Sequence, residues 1–274
     1  MLKMLAVAGT VAMLGAPWMG VAAQAAPSGV EPVALVTELV GSGSVTQKLD
    51  SGTLEPLHEL LPGAVVSLNG ATRAIIVHTV SGAVFELRGP GRYRVHDRNV
   101  EALQGASLVH RDLPPEIRAF RLKPLSAMQA SIVMRGAAPA LLNGPNGGVL
   151  GADELNYRIS GRMSAPQLDV LDADGVVIAH ANEPNAVFNP AQAAALQPGK
   201  PYLIVVKGAD GSGRPVELTT RFWLIDVESA TRLKAVKPQA DATTTDLIVY
   251  ALALESAGAT ATARNLWASI NERR

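Results

Sequence analysis

The stretch from Leu60 to Val95, LLPGAVVSLNGATRAIIVHTVSGAVFELRGPGRYRV, decides the fold because short β-type runs alternate in it with turn signals at nearly even spacing. The runs cover residues 65–68, 74–77, 84–87 and 93–95. The signals between them are Asn69-Gly70, Ser81-Gly82 and Gly89-Pro90-Gly91. Glycine-containing dipeptides between alternating apolar residues are typical of hairpin turns, so this stretch predicts a continuous antiparallel sheet.

The residues on either side of this stretch extend the sheet and then end it. Upstream, 33–46 alternates apolar and polar residues around a Gly41-Ser42-Gly43 break, which predicts a strand, a kink and a second strand. Downstream, Pro114-Pro115 cannot continue a central strand and marks the region where the chain leaves the first domain. The sequence therefore predicts a first β-domain over residues 30–124.

The order of these turns and core positions resembles the FecR-like periplasmic domain, a small all-β module of bacterial envelope proteins. The similarity covers residues 33–122, and the positions that carry it are Val36, Leu39, Gly41, Val45, Leu60, Pro62, Gly63, Val66, Leu68, Ala74, Ile76, Gly82, Phe85, Leu87, Gly89, Pro90, Gly91, Tyr93 and Val95. The resemblance implies a module that senses a ligand or contacts a protein, without enzymatic activity.

A locally basic stretch ends this domain and supplies candidate contact residues. Arg88, Arg92 and Arg94 are its core, and His96, Arg98, His110 and Arg111 continue it. Such a cluster could bind an anionic partner such as a sugar acid or a phosphate. The alternative interpretation is that the arginines are solvated positions of edge strands, where charge also blocks unwanted strand pairing.

Residues 138–228 predict a second β-domain. Candidate strands lie at 155–159, 167–171, 176–179, 202–206 and 217–225, a spacing that favours a β-sandwich. The segments around 165–179 and 196–208 resemble strand pairs of an immunoglobulin-like or fibronectin type III domain. Asp169, Asp172 and Asp174 invite a calcium interpretation, but Asp-Gly between apolar runs favours a hairpin turn. Helix and strand both remain open for 126–134, and the glycine-rich 144–148 predicts a plain loop.

The C-terminal residues 240–274 follow a predicted linker at 234–240 and show helical spacing in two runs around Gly258. The resulting helical hairpin resembles one tetratricopeptide unit, and stacked repeats of that type need about three units for stability. Leu254, Leu266 and Trp267 are its candidate docking residues. The hairpin packs either on the same chain or on a partner, and in the second case everything after Pro238 could be deleted without unfolding the β-domains.

Composition limits the possible partners and the compartment. Lys plus Arg and Asp plus Glu number 24 each, and a near-neutral chain has no overall field that would draw it to nucleic acid. Residues 1–25 carry Lys3, an apolar run and a terminal Ala-Gln-Ala, which predict a cleavable signal peptide and hence a periplasmic or secreted bacterial protein with no membrane span after cleavage. Without cysteine, the chain can form neither disulfides nor thiolate metal sites.

The sequence contains no motif that predicts catalysis or a cofactor. Its five histidines include no metal-binding pair on one helix face, and His78 alternates with Ile76 as a hydrogen-bonded sheet residue would. No nucleophile elbow, Walker loop or dinucleotide fingerprint occurs. We therefore expect a non-enzymatic binding or scaffolding protein of the envelope with a protein partner and with an oligomeric state left open. A cell-wall or polysaccharide-binding protein that uses Trp223 is the alternative.

Overall fold

In the computed structural model, the turn signals of the stretch 60–95 separate short antiparallel strands. The structure describes residues 30–48, 50–105, 108–125, 140–161, 163–181 and 188–273. Ten strands form the first β-module: β1 (Ala34–Val40), β2 (Gly43–Gln47), β3 (Asp50–Thr53), β4 (Glu59–Leu60), β5 (Val65–Leu68), β6 (Arg73–His78), β7 (Ala83–Arg88), β8 (Gly91–Val95), β9 (Val100–Gly105) and β10 (Val109–Asp112). The predicted strands are present, and β6 and β7 form the predicted hairpin at Ser81-Gly82. The prediction of one continuous sheet is wrong, because the chain changes sheet at Asn69-Gly70, between β5 and β6, and again at Gly89-Pro90-Gly91, between β7 and β8. The strand, kink and second strand predicted for 33–46 are β1 and β2.

These strands make two antiparallel five-stranded sheets. The first sheet has the order β10-β7-β6-β1-β4, and the second has the order β3-β2-β5-β8-β9. Their facing sides enclose one apolar core, in which Val36, Ile76, Leu87, Tyr93 and Val95 are fully buried. Burial alternates along β2, β5 and β8 of the second sheet, which send every second residue into this core. Strands β1 and β6 of the first sheet are buried on both sides.

The second β-module is smaller and less symmetrical than the predicted sandwich. Its strands are β11 (Ala140–Asn143), β12 (Gly147–Val149), β13 (Arg158–Gly161), β14 (Ser164–Leu171), β15 (Val177–Ala181), β16 (Tyr202–Ala209) and β17 (Pro215–Leu224). They form one five-stranded sheet, β12-β17-β16-β14-β15, and a separate β11-β13 pair. The prediction of a plain loop at 144–148 is wrong, because Gly147–Val149 pairs in parallel with Phe222–Leu224.

Five α-helices and a short 3-10 helix (Ala152–Glu154) complete the described chain. The α-helices are α1 (Pro115–Arg118), α2 (Pro190–Ala193), α3 (Val227–Ala235), α4 (Thr244–Ser256) and α5 (Thr260–Glu272). The predicted hairpin is confirmed as α4 and α5, with Gly258 at a φ of 81° between them. The third long helix, α3, is not in the sequence-based prediction. Asp226 caps it by accepting a hydrogen bond from the Ser229 amide at 2.8 Å.

Helix α4 is the centre of the largest core. Every residue from Leu247 to Leu254 is buried, because the helix packs on β1 and β6 of the first sheet, on α3 and on α5. The outer side of the first sheet supplies Leu35, Ile75, Val77 and Val84 to this core. A helix that is apolar on all sides belongs inside a protein. The core around α4 also contains Leu150 and Ile225, which follow β12 and β17, so it connects the two β-modules.

Residues 31–274 form one compact unit by their contacts. The predicted signal segment at 1–25 and the undecided stretch at 126–134 lie outside the described residues. Within the described ranges, no helix is both long and apolar enough to cross a membrane. The fold is mainly β with a helical C-terminal layer, as expected.

Candidate interaction surfaces

The structure separates the three arginines that the sequence placed in one basic cluster. Arg88 ends β7 in the first sheet and binds Glu86, with its Nη2 atom 2.7 Å from Oε1. Arg92 and Arg94 lie on β8 in the second sheet, where both side chains are exposed. Strand β8 lies between β5 and β9, so it is not an edge strand. The interpretation of Arg92 and Arg94 as guards of a sheet edge is therefore wrong.

Strand register shows which side chains accompany the two arginines. Across β3, β2, β5 and β8, one row contains Thr53, Ser44, Ser67 and Arg92, and the next contains Ser51, Thr46, Val65 and Arg94. The Thr46 and Ser51 hydroxyls are 2.9 Å apart, as expected for neighbours on one side of a sheet. We call these eight residues the arginine face.

The two guanidinium groups of the arginine face form no ion pair among the described residues, although Glu101 of β9 lies opposite Arg94 in the strand register. Neither Arg92 nor Arg94 has an ion pair or a side-chain hydrogen bond among the described residues. The nearest carboxylate by register, Glu101 of β9, instead accepts a 2.9 Å contact from His96. Opposite sides of the same strands bury Val45, Val66 and Tyr93 in the core. The backbone under the two guanidinium groups is thus held by packing from below.

The candidate docking residues of the hairpin point inward instead. Leu254 is fully buried, and Leu266 and Trp267 are partly buried against the same core. Leu254 is therefore unavailable to a partner in this fold, which corrects its interpretation as a contact residue. The hairpin packs on its own chain, the alternative that burial of an apolar stripe favours.

Polar contacts fix the hairpin to the first β-module. The Glu38 carboxylate accepts hydrogen bonds from the Thr245 hydroxyl at 2.8 Å and from the Thr245 amide at 3.2 Å, at the N-terminus of α4. The Thr37 and Thr245 hydroxyls are 2.9 Å apart, and both residues are buried. A carboxylate at a helix N-terminus also interacts favourably with the helix dipole. On the surface, Arg111 binds Asp246 at 2.7 Å.

A second set of contacts fixes the hairpin to the second β-module. The amides of Gly148 and Leu150 donate to the hydroxyls of Thr260 and Thr262, at 3.2 and 3.0 Å, in the first turn of α5. These two hydrogen bonds give partners to backbone amides on the side of β12 that faces away from β17. A Cβ atom on Gly148 would lie only 1.9 Å from the Gly258 carbonyl oxygen, so the close approach requires glycine. Burial raises the pKa of Glu154, whose carboxylate accepts a hydrogen bond from Thr262.

Two depressions of the described surface are large enough to compare with ligand pockets. A cleft of about 270 Å³ lies between α1 and the α3–α4 connection, and its lining includes Arg111, Ile117 and Tyr250. The Tyr250 hydroxyl is buried and has no hydrogen-bond partner among the residues that the structure describes, and burial raises its pKa to about 12. A wider groove of about 480 Å³ runs beside His58 and Leu57. The first is smaller than typical ligand pockets, and the second lies open to solvent.

The remaining sequence-predicted positions have structural roles. The Asp172 carboxylate accepts hydrogen bonds from the amides of Asp174 and Val176, both at 2.9 Å, which confirms the hairpin turn. His78 is fully buried: its Nδ1 accepts from the Ser81 amide at 3.2 Å, so Nε2 carries the proton and donates to the His96 carbonyl at 3.0 Å. Burial lowers the pKa of His78.

No cluster of three or more potential metal ligands occurs in the described parts of the chain. Trp223, the aromatic residue of the alternative polysaccharide hypothesis, is partly buried against the hairpin core. It therefore offers no open aromatic platform.

Comparisons with known proteins give no family assignment. No family model matches the chain. No curated protein matches it in sequence. Among solved structures, the chain is similar to a β-glucuronidase from Ruminococcus gnavus in complex with D-glucuronic acid, at 13% identity and a TM-score of 0.23, over 71% of this chain and 33% of that one. The same enzyme in complex with uronic isofagomine gives 11% identity and a TM-score of 0.20, over 69% and 31%. The chain spans about a third of those proteins, and similarity at these scores supports no inference about its fold or activity.

Proposed function

We propose that the protein is an exported, non-enzymatic binding or scaffolding protein of the bacterial envelope that contacts its ligand or partner through the FecR-like first β-module. The observation that carries this proposal is the arginine face, a side of a packed sheet that is exposed among the described residues and has two guanidinium groups without an ion pair there. Its residues lie within the stretch that resembles the FecR-like domain. The segment at 1–25, with its apolar run and Ala-Gln-Ala end, supports export.

In this proposal the C-terminal hairpin is a structural element and not the docking site that its sequence indicates. Because Leu254 and its neighbours form the core between the β-modules, the hairpin fixes the modules to each other and leaves contact to the first module. A rigid scaffold of this kind holds a binding surface without rearrangement, which lowers the ordering cost of association.

The experiment compares capture of envelope components by three forms of the full mature chain. These are the wild type, the Arg92→Glu/Arg94→Glu double variant and the matched control Arg88→Glu, which changes an arginine on the other sheet. We expect the wild type and the control to retain the same envelope component and the double variant to lose it. Equal retention by all three forms would contradict contact through the first β-module.

A further inference from the structure

From the chemistry of the arginine face we infer that its ligand is an acidic polysaccharide, a chain of sugars that carry carboxylates, laid across the strands of the second sheet. This inference rests on the proposed function and specifies the ligand for the same surface. It follows from three features of the face: its lack of large apolar side chains, its parallel rows of hydroxyl groups and the position of its charges.

The side chains of the face disfavour other macromolecules. Protein interfaces concentrate their binding energy in buried aromatic and arginine anchors, and this face contains no aromatic residue. Single-stranded nucleic acid also needs aromatic stacking platforms. Binding to an anionic membrane needs a cluster of about four to eight basic residues or inserted apolar side chains, whereas this face offers two arginines.

The hydroxyl rows suit a carbohydrate. In the first row, Thr53, Ser44 and Ser67 lead across three strands to Arg92. Neighbouring strands are about 4.8 Å apart, which is comparable with the advance of a β-linked hexose chain per residue. Such a chain placed along a row would present its hydroxyl groups to serine and threonine side chains at each strand.

The charges then specify an acidic chain. Arg92 and Arg94 stand two residues apart on one face of β8, so their backbones are about 7 Å apart along the strand. The carboxylate opposite Arg94, that of Glu101, pairs with His96 at 2.9 Å. Guanidinium binds a carboxylate through two parallel hydrogen bonds, which gives strength and orientation. Because the face lacks aromatic rings, a neutral polysaccharide would find only hydroxyl partners that water can replace. The carboxylates therefore provide the attraction, and the hydroxyl rows set the direction of the chain.

The test measures binding of the full mature chain to two oligosaccharides of equal length and linkage by isothermal titration calorimetry. Hexamannuronate carries a carboxylate on every sugar, and cellohexaose carries none. We expect binding of hexamannuronate only, weakened by added salt because the contacts are exposed. The Arg92→Gln/Arg94→Gln variant should bind about tenfold or more weakly, while Arg88→Gln should bind like the wild type.

Three results would overturn the inference. The first is that the wild type does not bind hexamannuronate, and the second is that it binds cellohexaose equally well. The third is that the double glutamine variant binds hexamannuronate with unchanged affinity. A parallel measurement with vesicles of anionic lipid separates this failure from failure of the proposed function. If vesicles are bound in an Arg92- and Arg94-dependent manner and hexamannuronate is not, the face is a binding surface for phosphate groups and only the polysaccharide is wrong.

Discussion

Replacing Leu252 with alanine should destabilise the whole described fold, because this residue lies at the middle of α4 and is only 1% exposed. Its side chain packs in the core that joins both β-modules. Leucine-to-alanine substitutions at such positions lower the free energy of unfolding by about 2–5 kcal/mol, from lost burial and from the cavity left behind. Since whole domains are stable by about 5–15 kcal/mol, the loss is a large fraction of the total.

Deleting the hairpin after Pro238 enlarges the same perturbation. The deletion removes seven large buried side chains: Leu247, Ile248, Val249, Tyr250, Leu252, Leu254 and Ile270. At about 1.5–3 kcal/mol each, their burial amounts to roughly 10–20 kcal/mol as an upper estimate. The deletion also exposes Leu35, Ile75, Val77 and Val84 on the first sheet. We therefore expect the truncated chain to lose cooperative folding or to aggregate. If the hairpin instead served only to bind a partner, the truncated chain would fold normally.

The assay is urea-induced unfolding followed by circular dichroism, with Asn265→Ala on the exposed side of α5 as the matched control. The control should change the free energy of unfolding by no more than about 0.5 kcal/mol. Two results would refute the reasoning: a Leu252→Ala variant as stable as the control, or a truncated chain that unfolds cooperatively at the same urea concentration as the wild type. Either would mean that α4 is dispensable to the β-modules.

Two further predictions concern the β12 contact and a buried histidine. Gly148→Ala should lower the free energy of unfolding by about 1–3 kcal/mol, because the new methyl group overlaps the Gly258 carbonyl. The control is Gly211→Ala, where the added atom has no neighbour within 4 Å. Equal melting temperatures of the two variants in thermal unfolding would contradict the close packing of Gly148 on Gly258. The lowered pKa of His78 means that, below about pH 6.5, the unfolded chain binds a proton that the folded chain does not. The free energy of unfolding therefore keeps the full contribution of neutral His78 above that pH, and falls by at most about 1.4 kcal/mol per pH unit below it. Urea titrations at pH 7.5 and 5.5 should show this fall. The His78→Asn variant, which has no imidazole to protonate, should not show it.

Local signals predicted where the strands of the first β-module begin and end, but not their division into two sheets. Its strands end at Asn69-Gly70, Ser81-Gly82 and Gly89-Pro90-Gly91, where the chain itself specifies the turns. The order of strands within each sheet is not a local property. Because β8 pairs with β5, more than twenty residues earlier, the sequence could not show that Arg92 and Arg94 occupy an interior strand.

The helical segment shows a different limit. The spacing of Leu247, Tyr250, Ala251 and Leu254 predicted a helix with one apolar stripe, and the helix is present. The uninterrupted apolar run LIVYALAL at 247–254 was the signal that all sides of this helix are buried. Strand β12 carried no comparable signal, since its partner β17 lies about seventy residues further along the chain.

The position of α4 changes which part of the chain can be the contact surface. A single tetratricopeptide-like hairpin has an apolar stripe that needs a partner, and here Leu35 and Ile75 of the first sheet are part of that partner. The first sheet is thereby covered on both sides, by the second sheet and by α4, and cannot present a broad face to a ligand. The second sheet keeps the outer side of its described strands exposed, with Arg92 and Arg94 on β8, the strand next to its β9 edge. The same helix that removes the hairpin from the list of docking sites therefore leaves the arginine face as the open sheet surface of the first β-module.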